Sequence, residues 1–103
     1  MERIQKLKEY LAASPGDSFL QHALALEYIK IGEEGTARLL FENILEADPT
    51  YIGTYYHLAK LLERQNETGL AISCYEKGMK AAQAAGDHHA LGELRSALEE
   101  LTF

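Results

Sequence analysis

Apolar residues recur every three or four positions along most of the chain, the spacing that gathers side chains on one face of an α-helix. The clearest stripes are Leu20, Leu24, Tyr28 and Ile31; Leu58 and Leu62; and Leu91, Leu94, Leu98 and Leu101. Short polar breaks with glycine, proline or asparagine separate the stripes. The pattern predicts six helices, at about residues 2–13, 18–31, 33–48, 51–64, 67–85 and 88–101.

The ends of these helices follow from turn and capping residues. Pro15 and Pro49 disfavour the α conformation of the residue before them, which ends the first and third helices. Gly32 and Asn66 stand at matching positions after the second and fourth helices, where a left-handed residue closes the last turn. The expected N-terminal caps carry acceptor oxygens: Asp17 or Ser18, Thr50 and Asp87.

The chain repeats itself at a spacing of 34 residues. The matching positions hold the same small, apolar or turn-forming residues: Pro15 and Pro49, Leu24 and Leu58, Ala25 and Ala59, Gly35 and Gly69, Ala37 and Ala71, Phe41 and Tyr75. We interpret the alanines as sites of close helix approach, because two helices come close only where one lacks a bulky side chain. Phe41 and Tyr75 would then fill the wider gap one turn further along.

These residues resemble the pattern of the tetratricopeptide repeat family. The first full repeat matches it at Leu24-Ala25, Tyr28, Gly32, Ala37, Phe41, Ile44 and Pro49, and the second at Tyr55, Leu58-Ala59, Asn66, Ala71, Tyr75 and Gly78. Gln21 and Leu62 depart from the pattern, and Gln83 stands where the closing proline of the second repeat would be. The resemblance implies an all-α fold in which antiparallel helix pairs stack as a short right-handed α-solenoid.

The resemblance also implies how the chain is divided. We expect a single domain over residues 1–103, consisting of a half repeat, two full repeats and a capping helix: residues 1–15, 17–50, 51–85 and 87–103.

In this family the first helix of each pair lines a concave groove that holds peptide segments or protein surfaces, so the resemblance implies a non-catalytic interaction scaffold. At 100° per residue, the second and fourth helices turn nine candidate groove residues away from the predicted core: Phe19, His22, Leu26, Ile29, Lys30, Tyr56, His57, Lys60 and Arg64. This mixture of apolar and cationic side chains suits a protein segment that carries acidic and apolar residues.

The second helix is apolar almost all round, and two interpretations of it stay open. Phe19, Leu26 and Ile29 are either covered within the chain or exposed without consequence, or they form a contact surface together with Tyr56. A contact surface would bind a peptide or pair two copies of the chain as a homodimer. Binding of chaperone C-terminal tails is not expected, because the basic and amide residues of that family subclass are matched by others: His22, Leu26, His57, Asp87 and Leu91.

Composition and charge add expectations about the fold class, the possible partners and the location of the protein. Ala, Glu, Lys, Leu and Arg make up 53 of the 103 residues and valine is absent, which favours helices over strands. The net charge of −6 argues against nucleic acids and anionic membranes as partners. No apolar run approaches the ~20 residues of a membrane span, and the N-terminus lacks the apolar core of a signal peptide, so we expect a cytoplasmic protein.

The chain shows no constellation of catalytic or metal-binding residues. His22 and His57 are one repeat plus one residue apart, but two imidazoles fall short of the ligands that zinc requires. His88 and His89 are adjacent on a helix and point some 100° apart, so they do not easily bind one metal ion together, and we expect both in solvent. Cys74 has no second thiol and is expected to be a small buried apolar residue. We therefore expect no enzyme activity, no cofactor and no metal.

Overall fold

The computed structural model describes residues 2–103, which form six α-helices and no strand. Met1, the first residue of the predicted half repeat, lies outside the described residues. The helices are α1 (Glu2–Ala13), α2 (Ser18–Lys30), α3 (Glu34–Ala47), α4 (Ile52–Arg64), α5 (Thr68–Ala85) and α6 (His88–Thr102). The prediction of an all-α fold with six helices is confirmed over this range.

Two of the three predicted N-terminal caps are confirmed. Asp17 accepts a hydrogen bond from the Leu20 amide at 3.0 Å, and Asp87 accepts one from the Ala90 amide at the same distance. Each bond satisfies an amide of the first helical turn, which has no partner within the helix. The predicted left-handed terminators are confirmed: φ is 81° at Gly32 and 60° at Asn66.

The predicted cap of the fourth helix is wrong. The residue that precedes α4 is Tyr51, not Thr50, and its side chain makes no capping hydrogen bond. The Tyr55 hydroxyl instead donates to the Pro49 carbonyl at 2.6 Å. This bond ties the proline turn to the first turn of α4.

The same link occurs one repeat earlier and explains a departure from the family pattern. The Gln21 amide nitrogen donates to the Pro15 carbonyl at 2.7 Å, and both residues lie 34 positions before the Tyr55–Pro49 pair. Gln21 replaces a large apolar residue yet makes the hydrogen bond that a tyrosine makes in the second repeat. The proline turns before α2 and α4 are therefore tied down in the same way.

The helices form two compact units, of which the first ends at Asp48. In this unit α2 packs against both α1 and α3. Its apolar cluster centres on Ile4, Leu7 and Leu24, with Leu11, Leu20, Ala23, Tyr28 and Leu40 packed around them. An ion pair of 3.3 Å between Arg3 and Glu27 also links α1 to α2.

The second unit spans Pro49–Phe103, and in it α4 and α5 pack against each other and both contact α6. A Cβ atom at Gly78 would lie 2.6 Å from the Cβ of Tyr55 and 3.1 Å from the Cδ1 of Leu94. The three helices therefore approach one another closely at this glycine, which the family pattern assigns only to an apolar position.

The paired alanines are buried in both units, as close helix approaches require. Ala25, Ala59, Ala37 and Ala71 have no exposed surface, and neither do the two aromatic side chains predicted to fill the adjacent gaps, Phe41 and Tyr75. The exact repeat boundaries, from residue 1 to residue 103, stay a prediction.

Candidate functional site

A groove runs between α4 and α6 on the surface of the second unit. Its larger cleft, of about 540 Å³, is lined by Tyr56, Lys60, His88, His89, Gly92, Glu93, Ser96, Ala97 and Glu100. An adjoining cleft of about 350 Å³ shares Tyr56 and Glu93 and is otherwise lined by Ile52, Gly53, His57, Ala90 and Leu94. We call these two clefts together the α4–α6 groove.

The α4 wall of the groove centres on Tyr56, which is 36% exposed. The ammonium group of Lys60 lies 5.7 Å from the centroid of the Tyr56 ring, within the range of a cation–π contact. The His57 ring stands edge-on to the same tyrosine, with centroids 5.8 Å apart. An aromatic face and a cation therefore lie side by side, which suits a ligand that offers both apolar and anionic groups.

The α6 wall begins at the Asp87 cap, which places His88 and His89 in the first helical turn. The Nε2 atom of His89 lies 3.6 Å from a Glu93 oxygen, one turn along the same helix. Glu93 also acts across the groove on His57: burial lowers the pKa of His57, and the Glu93 carboxylate opposes that shift. Glu93 thus interacts with imidazoles from both walls.

A partly buried hydrogen bond between α5 and α4 supports the α4 wall from within. The hydroxyl of Tyr75, which is fully buried on α5, donates to the Glu63 carboxylate on α4. Burial raises the pKa of Tyr75, and the neighbouring Glu63 raises it further, so the hydroxyl stays protonated and serves as a donor. The same carboxylate lies 3.7 Å from the Lys60 ammonium group and thereby helps to fix this cation beside the groove.

The predicted groove residues are divided between the two units. Tyr56, His57 and Lys60 line the α4–α6 groove, whereas Arg64 is exposed at the end of α4 and lies outside its lining. That the nine predicted residues share one binding surface stays a prediction.

The five predicted residues of α2 lie in the first unit and differ in exposure. Phe19 is 68% exposed, while Leu26 and Ile29 are half-buried, so the apolar flank of this helix is covered only in part. The His22 ring packs against Phe41 with centroids 5.4 Å apart, and Lys30 forms a 2.9 Å ion pair with Glu27.

The sequence pattern missed the α6 wall. Extending the 34-residue spacing assigns Asp87 and Leu91 to groove positions, but Asp87 is the helix cap. Leu91 lines a different cleft, between α5 and α6. The reason is the length of α5, which has 18 residues against 14 in α3 and delays the start of α6 by two positions. Aligning α6 with α4 at the residues that precede them, Asp87 and Tyr51, matches Gly92, Glu93 and Ser96 to Tyr56, His57 and Lys60.

The described residues also bear on three other kinds of feature: metal-binding clusters, membrane-spanning helices and exposed thiols. Within residues 2–103, no three side chains of His, Cys, Asp or Glu come together in an arrangement that would hold a metal ion. None of the helices in the same range has the length and apolarity that crossing a membrane requires. Cys74 is buried as predicted, and its thiol donates to the Tyr55 carbonyl at 3.4 Å.

Comparison with known proteins identifies the family. A family model described as tetratricopeptide repeat matches residues 52–84, whereas no curated protein matches the chain. The solution structure of a tetratricopeptide repeat domain protein from Salinibacter ruber is 42% identical, covers 84% of this chain and 88% of its own, and superposes with a TM-score of 0.81.

More distant structures have the same fold. A protein from Bordetella parapertussis is 28% identical over 96% of this chain and 86% of its own, with a TM-score of 0.82. The TPR2B domain of yeast Sti1, solved as a complex with pHsp70, is 14% identical, covers 96% of this chain and 79% of its own, and has a TM-score of 0.88, a likeness of fold alone. On the repeat pattern, the six helices and the Salinibacter relative, the chain belongs to the tetratricopeptide repeat family.

Proposed function

We propose that this protein is a non-catalytic interaction scaffold that binds a segment of a partner protein in the α4–α6 groove. The tetratricopeptide fold is commonly a protein-interaction module, and the groove is a surface of the second unit that suits this use. The observation that carries the proposal is the Tyr56–Lys60 pair, which faces the α6 wall across a cleft of about 540 Å³.

The chemistry of the groove indicates what kind of segment it would bind. The Tyr56 ring offers an apolar face, and the Lys60 ammonium group beside it would pair with a carboxylate. The backbone of a bound segment would find donors and acceptors in the imidazoles of His88 and His89 and in the hydroxyl of Ser96. A segment with an apolar anchor next to an acidic residue meets all of these groups.

A comparison of charge-reversed variants tests the proposal. The protein is immobilised, partners are captured from the source cell, and the captured proteins are compared between the wild type, Lys60→Glu and Lys77→Glu. Lys77 is exposed on α5 outside the groove lining, so its reversal changes the net charge equally without altering the groove. We expect Lys60→Glu to lose the partner and Lys77→Glu to retain it, with unchanged helicity in both variants.

The opposite result would place the binding surface elsewhere. If Lys60→Glu captures the same partner as the wild type, the groove assignment is wrong. If both variants lose it, capture depends on net charge and not on the groove.

A second candidate function is self-association through the apolar flank of α2. The observation that favours it is Phe19, which is 68% exposed on a helix whose neighbouring Leu26 and Ile29 are only half-buried. Sedimentation at micromolar concentration would then give a dimer that Phe19→Glu dissociates. A wild-type monomer of 11.5 kDa would rule this candidate out.

A further inference from the structure

Three of the four histidines of the chain gather at the α4–α6 groove. His57 comes from α4, while His88 and His89 come from the first turn of α6, so that residues some 30 positions apart meet at one surface. Histidine is the side chain whose ordinary pKa places its change of charge near neutral pH. The groove is therefore lined by three side chains of this type.

The remaining charged groups of the groove are few. The lining contains one cation, Lys60, and two carboxylates, Glu93 and Glu100. Beside them on α4 lies Glu63, which is hydrogen-bonded to Tyr75 of α5, the helix that packs against both walls. With neutral histidines the carboxylates of the lining outnumber its cation. With all three histidines protonated, the cations outnumber the carboxylates.

Glu93 lies at the centre of this change. Its carboxylate is 3.6 Å from the Nε2 atom of His89 and interacts electrostatically with His57 on the opposite wall. When both imidazoles are neutral, Glu93 is an anion that repels an incoming carboxylate. When they are protonated, its charge is compensated on both sides, and the positive charge left over attracts an acidic segment.

We infer that the α4–α6 groove binds an acidic, glutamate-containing segment more tightly as its histidines become protonated. The inference rests on the proposed function of the groove as a binding surface and adds the control of that surface by pH. Ligand binding and protonation favour each other, because a bound carboxylate stabilises each imidazolium ion and each imidazolium ion attracts the carboxylate. Burial lowers the pKa of His57, and a bound carboxylate would favour the protonated form of this residue.

Calorimetric titration with two synthetic peptides tests the inference. The first peptide alternates glutamate with leucine, and the control peptide carries glutamine in place of each glutamate. Glutamate side chains have an ordinary pKa of about 4.3 and stay ionised at both about pH 5.5 and about pH 7.5, so a change in affinity reports on the protein. We expect the acidic peptide to bind about tenfold more tightly at the lower pH, and the control peptide to show no such change.

Three variants test whether the pH dependence of peptide affinity arises in the groove. A triple variant, His57→Gln, His88→Gln and His89→Gln, should bind the acidic peptide with the same affinity at both values of pH. Glu93→Gln should bind it at about pH 7.5 several-fold more tightly than the wild type does, because the repelling anion is gone. Glu99→Gln, an equal change of charge on the same helix outside the groove lining, should behave like the wild type.

The outcomes that would overturn the inference differ from those that would overturn the proposed function. Equal affinity of the wild type at both values of pH, or a pH effect that survives in the triple variant, excludes histidine control but leaves the groove as a binding surface. Absence of binding of the acidic peptide at either pH excludes an acidic segment. The proposed function itself fails if Lys60→Glu retains the captured partner, or if Lys77→Glu loses it as well. Circular dichroism at both values of pH verifies that the fold is intact.

Discussion

The two units contain the same repeat, yet the outer face of α2 in the first unit and that of α4 in the second differ in polarity. Phe41 in the first unit and Tyr75 in the second occupy matching positions and are equally buried. The hydroxyl of Tyr75 requires a partner and donates to Glu63, whereas the residue that matches Glu63 in the first unit is Ile29. The two units therefore differ in the core by the Tyr75 hydroxyl, which Phe41 lacks. This difference accompanies the charged wall on α4 and the apolar flank on α2.

A second pair of positions shows how the two units distribute volume. The large Tyr55 is accommodated by Gly78, whose missing side chain leaves room for the tyrosine Cβ. The matching residues of the first unit are Gln21 and Ile44, so the bulk stands on the other helix. Both arrangements retain the hydrogen bond to the preceding proline carbonyl. The repeat thus retains the hydrogen bond with either a glutamine or a tyrosine as the donor.

The largest expected effect is that of Gly78→Ala. The added Cβ would lie 2.6 Å from the Cβ of Tyr55, an atom fixed to the backbone, so the helices must move apart. We expect the free energy of unfolding to fall by about 3 kcal/mol. Gly92→Ala, a helical glycine whose Cβ would meet no neighbour, should instead raise it by about 0.5–1 kcal/mol. Urea denaturation measures both, and a neutral Gly78→Ala would refute the close approach at this position.

The next largest effect comes from filling the alanine positions shared by both units. Ala37→Leu and Ala71→Leu insert a bulky side chain at residues with no exposed surface and should each cost about 1–3 kcal/mol. Ala84→Leu, at an exposed position of α5, is the matched control and should be close to neutral. Thermal denaturation compares the three. If only one of the buried changes destabilises the protein, the two units do not share the same tight packing.

A double-mutant cycle converts the polar pair of the second unit into the apolar pair of the first. Glu63→Ile alone leaves the Tyr75 hydroxyl buried without its acceptor and should cost about 1–3 kcal/mol. Adding Tyr75→Phe, which removes the hydroxyl, should recover most of this loss. Chemical denaturation of the two single variants and the double variant gives the coupling. Additive losses would show that the hydrogen bond does not explain the difference between the units.

The smallest expected effect is a dependence of stability on pH. Burial holds the pKa of His57 below its ordinary value, so the unfolded chain binds this proton more readily than the folded protein does. The unfolding free energy should therefore decrease as the pH falls from about 7 to about 5.5. His57→Gln should flatten this decrease, because it removes the group whose pKa burial lowers. Equal slopes for the wild type and His57→Gln would contradict the effect of burial.

Most of the fold was predictable from the sequence because its signals are local. The proline turns, Gly32, Asn66 and the Asp87 cap each specify a backbone conformation without help from distant residues. The predicted cap at Thr50 is wrong by one residue, because the residue that precedes α4 is Tyr51. Capping patterns in a sequence locate the start of a helix only to within one or two residues.

The candidate site was predictable only in part. Helical periodicity identified Tyr56, His57 and Lys60 on the α4 wall, because a projection of one helix is enough to find them. The α6 wall was missed because its register depends on the length of α5, and a fixed 34-residue spacing cannot include that change. The close approach at Gly78 was likewise hidden, since it depends on two other helices.

Site-specific photo-crosslinking tests the assignment of function to the α4–α6 groove most directly. A photoreactive residue is introduced in place of Ser96, in the groove lining, and in a separate variant in place of Thr36, exposed on α3. Irradiation with the captured partner present should yield an adduct of protein and partner from position 96 and none from position 36. An adduct from position 36 alone, or only an adduct of two copies of this chain, would contradict the assignment.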